Sequence, residues 1–109
     1  MPDNAMLHLT RVPFEVLVEQ GVKGSAGTGK SYWFRWGDIK HLSWPQVKTL
    51  IGQMAQGGEA DAAQFVFRIP PEGVPSEFSP GARTYGVFQE YEAASVITPD
   101  GGGVTGINK

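Results

Sequence analysis

The segment Ser31-Tyr32-Trp33-Phe34-Arg35-Trp36 constrains this chain more than any other. Its period is two, and consecutive aromatic residues make a poor helix because each loses side-chain freedom against the preceding turn. An extended strand instead sends Tyr32, Phe34 and Trp36 to one side and Trp33, Arg35 and Gly37 to the other, which predicts a strand over Ser31 to Ile39. Three further segments read the same way. Val12 to Gln20 alternates Phe14, Val16 and Val18 with Glu15, Leu17 and Glu19, and Pro13, which has no amide hydrogen, places its start at a sheet edge. Paired with the first segment, it would put Phe14, Val16, Val18, Tyr32, Phe34 and Trp36 inside, with Glu15, Glu19 and Arg35 sharing the outer face. Gln64 to Ile69 places Phe65, Phe67 and Ile69 opposite Val66 and Arg68 until Pro70-Pro71 stops it. Residues 70–83 read as a non-repetitive loop, and Thr84 to Ile97 as a fourth strand whose period shifts near Val87-Phe88, marking a bulge or a turn.

One helix interrupts this pattern. In Leu42-Ser43-Trp44-Pro45-Gln46-Val47, a serine followed three residues later by glutamine can satisfy two otherwise orphaned amides, so Ser43 is the expected N-cap. Leu42 and Val47 stand at staple positions, and Pro45 in the first turn loses no intrahelical bond. Val47, Leu50, Ile51 and Met54 form one apolar stripe, and Gly57-Gly58 ends it. The expected fold is therefore α+β, a four-stranded, mostly antiparallel sheet with one packed helix in the order β-β-α-β-β. A small β-barrel carrying one helix is the alternative. The helix stripe would meet Phe14, Val16, Phe34, Trp36, Phe65 and Phe67.

A chain of 109 residues suits a single domain. We expect it over residues 1–98, with 99–109 a flexible glycine-rich tail. With no cysteine, disulfides, thiolate metal sites and cysteine nucleophiles are excluded. The formal net charge of −2 argues against wholesale binding to nucleic acid or anionic membrane, although the first half of the chain is net basic and the second net acidic. Met1 to Thr10 lacks a basic stretch followed by an apolar run, and no apolar run approaches a membrane span. The expectation is a soluble chain without signal peptide, cytoplasmic or part of a virion.

Gly24-Ser25-Ala26-Gly27-Thr28-Gly29-Lys30-Ser31 matches G-x-x-x-x-G-K-S and so resembles the Walker A loop of P-loop nucleotidases. The resemblance implies a backbone from Gly24 to Gly29 that wraps phosphates, Lys30 on the terminal phosphates and Ser31 on magnesium. It covers these eight residues alone. The context differs from that family: a polar lead-in replaces the buried strand, an aromatic strand replaces the following helix, no apolar run ends in aspartate downstream, and no βαβ alternation is present. A glycine-rich hairpin tip over residues 21–30 accounts for the same string.

Tyr32, Trp33, Phe34 and Trp36 with Lys23, Lys30, Arg35 and Lys40 form an aromatic and basic cluster on which single-stranded nucleic acid could stack, with Trp33 as the platform. His8 and His41 are the only imidazoles and have no ligand spacing, so neither a metal nor a cofactor is expected. Glu90 and Glu92 share a face if extended, the pattern of solvated strand residues as well as of an acid–base pair. Leu17 and Trp33, together on an outer face with Lys23, Lys30 and Arg35 around them, make either a protein contact or a patch covered within the chain by a loop such as residues 70–83. These features predict a non-enzymatic interaction or assembly protein, for instance a small structural component of a larger particle such as a phage virion. Its partners would be proteins, in a homo-oligomer or a multi-subunit assembly.

Overall fold

The computed structural model describes residues 1–24, 26–51, 64–85 and 88–104. In chain order the elements are β1 (Met6–Thr10), α1 (Phe14–Gln20), β2 (Ser31–Arg35), α2 (Trp36–Ile39), α3 (Trp44–Ile51), β3 (Gln64–Arg68), β4 (Ser79–Tyr85), β5 (Phe88–Ala93) and β6 (Gly101–Val104). The strands form one open sheet in the order β4-β5-β2-β1-β3-β6, and every neighbouring pair is antiparallel. The α+β class and the antiparallel sheet agree with expectation. The strand count does not, since the sheet has six strands rather than four and does not close into a barrel.

The sheet is buried on both faces, and this accounts for most of the differences. Leu7, Phe34 and Phe65 project to one side, where Ile39 of α2 and Val47 of α3 cover them. Met6, Trp33 and Val66 project to the other, under Leu17 of α1 and the loop residues Val22, Phe78 and Ile97. Each of the larger side chains contributes roughly 1.5–3 kcal/mol on burial. A strand apolar on both sides shows no alternation, which is why β1, between β2 and β3 in the middle of the sheet, carries no two-residue signal in Met6-Leu7-His8-Leu9-Thr10.

With β1 in the central position, the expected strand over Val12 to Gln20 is instead the helix α1. Phe14 and Leu17 satisfy an i, i+3 spacing as well as their residues satisfy alternation, and the helix turns both toward the sheet while Glu15, Val18 and Glu19 face solvent. Pro13 therefore marks a helix start rather than a sheet edge: its carbonyl accepts the amides of Val16 and Leu17. Gly21 ends α1 with φ +75°, a conformation suited to glycine, and its amide donates to the Leu17 carbonyl. Glu15 and Glu19 consequently do not share a strand face with Arg35, which pairs with Asp38 at 3.1 Å.

The aromatic segment is extended as expected, but only to Arg35. Its partner β1 begins at Met6, opposite Arg35. Beyond that point the amides of Trp36 and Gly37 donate to the carbonyls of Ala5 and Asp3, and the chain coils into α2. At α3 the Ser43 amide donates to Gln46 Oε1 at 2.8 Å and the Gln46 amide to Ser43 Oγ at 3.4 Å, the reciprocal cap that the sequence pattern requires. Leu42 and Val47 both pack into the first core, so the staple is in place. Met54 and Gly57-Gly58 lie outside the described residues.

β3 follows its expected span, with Phe65 and Val66 both buried on opposite faces and Ile69 exposed. The expected strand over Thr84 to Ile97 is divided near Val87-Phe88: Tyr85 and Phe88 are partners in an antiparallel pair, β4 begins at Ser79 inside the expected loop, and β5 ends at Ala93. Within the segment 99–109 expected as a tail, Gly101–Val104 pairs with β3, and residues 105–109 lie outside the described residues. The Phe67 ring lies against Gly101 and the Phe14 ring against Gly102, so closely that a Cβ at either position would overlap the ring. Aromatic cover of this kind compensates the missing glycine side chains. Arg68 locks the approach to β6 by pairing with Glu77 at 3.0 Å and Asp100 at 3.5 Å, and Asp100 accepts the Ile69 amide at 2.7 Å. Among the described residues no helix is long and apolar enough to cross a membrane.

Candidate functional site

The P-loop-like string links a helix to a strand, not two strands of a hairpin. It leaves α1 through Val22, which exchanges both backbone hydrogen bonds with Ile97, and enters β2 at Ser31. Its neck is narrow, since a Cβ at Gly24 would overlap the Gly29 carbonyl group, and Gly29 itself has φ +70°. Tyr32 Oη donates to Thr28 Oγ1 at 3.0 Å, and the Lys30 amide donates to the same oxygen at 3.3 Å. The two side chains with assigned roles in the resemblance are engaged elsewhere. Lys30 Nζ bonds Glu92 Oε1 of β5 at 3.0 Å, which holds the lysine above its ordinary value, chiefly through that hydrogen bond. Ser31 is buried, and its Oγ accepts the Trp33 indole N–H at 2.8 Å. An extended strand begins at Ser31, where a phosphate-binding loop would open a helix of converging amides.

Leu17 and Trp33 do come together, but in the interior. Both belong to the second core, with Leu17 7% and Trp33 0% exposed, so of the two expectations it is cover from within the chain that the structure shows, with Phe78 of the 70–83 segment in the same core. α1, Val22 and Ile97 complete the cover on that side. The indole lies 5.1 Å from the His8 ring and 5.1 Å from Phe78, the latter edge-on. A stacking platform for bases has no free face there. Arg35 is held by Asp38 at the end of β2, and Lys23 is exposed just past Val22. Of the expected contact residues, Leu17, Trp33 and Lys23 thus cluster around α1, while Lys30 lies against β5 and Arg35 at the far end of β2.

Glu90 is buried opposite Phe34 and Glu92 pairs with Lys30, so these carboxylates do not act as a free pair. Among the described residues no group of three or more histidine, aspartate or glutamate side chains could hold a metal ion.

The feature that sequence reasoning missed is the sheet edge. β4 and β6 are the two outermost strands. β4 contains Pro80, whose missing amide hydrogen blunts that edge. β6 reads Gly-Gly-Gly-Val, with neither charge nor proline, and among the described residues no strand pairs with its outer side. Its only sequence signal is an uncharged glycine run directly after Asp100, which composition alone reads as a tail. The chain matches no protein-family model, no curated protein and no solved structure.

Proposed function

We propose that this chain is a non-enzymatic interaction and assembly module, for instance a small structural component of a larger particle such as a phage virion, that joins neighbouring subunits through its sheet edge. One observation carries this reading. β6 is an ordered edge strand, held between Phe14 and Phe67, that carries neither charge nor proline, although its register against β3 shifts by one residue between Phe65 and Phe67, while β4 at the opposite end carries Pro80. Edge amides and carbonyls with no charge or proline among them accept another strand directly, with main-chain hydrogen bonds supplying affinity. Val18 and Val96, 46% and 57% exposed on the α1 side, and Ile69 and Val74 beside the loop after β3 add apolar surface of the kind that contacts use.

Light scattering on the full chain over a wide concentration range, combined with amide hydrogen exchange, tests the proposal. Mass should rise with concentration while exchange slows at residues 101–104 and stays unchanged at 79–81. A monomer at every concentration, with fast-exchanging amides in β6, would refute it. The single-strand-binding reading rested on Trp33 as a platform and the nucleotide reading on a helix after Lys30; the geometry favours neither.

A further inference from the structure

The ladder between β1 and β2 runs through Met6↔Arg35 and Leu7↔Phe34 and stops there. Just beyond it, the His8 side chain takes over: Nδ1 donates to the Tyr32 carbonyl at 2.7 Å, an assignment that follows because a carbonyl can only accept. Beside this splayed region lies a cleft of about 220 Å³ lined by His8 and Thr10 of β1, Val16 and Leu17 of α1, and Val22 and Lys23 of the connecting segment. That volume is below the roughly 300–1,000 Å³ of sites for drug-sized ligands, so it suits a group no larger than one amino-acid side chain.

The lining combines an apolar wall with unused donors. Val16, Leu17 and Val22 form the wall. Thr10 is only 7% exposed; its Oγ1 accepts the Val12 amide at 3.0 Å, and among the described residues nothing accepts its hydroxyl proton. The Val12 amide satisfies that oxygen as an acceptor and leaves its proton to donate. Lys23 forms no ion pair among the described residues, and no acidic side chain lines the cleft. We propose that this cleft is a binding site for a short, branched aliphatic carboxylate. The hydrocarbon packs on the valine and leucine wall, and the carboxylate receives the Thr10 hydroxyl and the Lys23 ammonium in charge-assisted hydrogen bonds. The site is separate from the β6 edge and stands or falls independently of the assembly reading.

Isovalerate titrated into the ¹⁵N-labelled full chain at low ionic strength tests this, with amide shifts followed by NMR. Saturable shifts are expected at Thr10, Val16, Leu17, Val22 and Lys23. Acetate, which lacks the hydrocarbon, and 3-methylbutanamide, which lacks the charge, should each bind roughly tenfold more weakly. Lys23→Gln, on an exposed residue, should weaken isovalerate by roughly the same factor and leave the neutral amide unchanged. Val16→Phe should fill the cleft and abolish binding; because it also touches α1, the ligand series and Lys23→Gln carry the decision. Shifts that do not saturate, that acetate reproduces equally, or that survive Lys23→Gln unchanged would overturn the proposal.

Discussion

Trp33→Ala distinguishes a sheet buried on both faces from one with a solvated side. The indole is 0% exposed, packs 5.1 Å from both His8 and Phe78, and donates to Ser31 Oγ at 2.8 Å. Truncating a tryptophan in such a position costs about 3–5 kcal/mol, from lost transfer energy and the cavity left behind. Total stability for a domain of this size is about 5–15 kcal/mol, so a large share would go, and the melting temperature would fall by at least roughly 10 °C. A solvent-facing tryptophan would cost no more than about 0.5 kcal/mol. The two pictures therefore differ several-fold. Ser31→Ala provides a second arm, since it leaves the indole N–H buried without an acceptor, at about 1–3 kcal/mol. Trp33→Phe keeps a ring without the donor and should be milder than the alanine variant. Urea unfolding followed by far-UV circular dichroism measures all three, with an unchanged m value showing that the unfolded state is comparable. A loss under about 1 kcal/mol for Trp33→Ala would mean that the second face is not sealed, and Trp33 would return to the surface role that alternation alone suggests.

Two further outcomes follow from the same geometry. Gly102→Ala should push β6 off the Phe14 ring and Val66, destabilising the domain by about 1–3 kcal/mol and speeding hydrogen exchange at residues 101–104; exchange as slow as in the parent would show that the ring does not clamp the strand. The Lys30 ammonium is held above its ordinary value by Glu92, so the pair's contribution is full below the ordinary lysine value and is lost as pH rises through the higher folded one. Glu92→Gln should accordingly bring the NMR titration of Lys30 to lower pH, and an unmoved curve would show that the ion pair does not form in solution.

The features legible from the sequence were those set by neighbours along the chain. Ser43 and Gln46 lie within one turn of each other, so their reciprocal cap needs no knowledge of the rest of the fold. The extended aromatic run at β2 and the run at β3 were legible for a similar reason, because crowded bulky side chains favour a strand locally. Phe14 to Gln20 was not, since its spacing satisfies both periods, and the choice passed to whatever the sheet left for it to cover. Among the candidate contact residues the types were informative and the sides were not. Leu17 and Trp33 are neighbours as alternation suggested, yet their common side is interior. The cleft beside them depends on where β1 parts from β2, and the open edge on which strand comes last in the sheet.

By itself, the sequence determined the class of fold, the exclusion of cysteine chemistry, the capped helix and the strand behind Lys30, because each follows from composition or from contacts within a turn. Tertiary structure alone decided which strand is central, which faces are covered, and that a run of glycines becomes a sheet edge. Those outcomes depend on residues far apart in the chain, Phe14 on Gly102 and Phe67 on Gly101, where a ring fills the space that a side chain would otherwise need. No local pattern encodes such a pairing, since either partner alone is compatible with a loop.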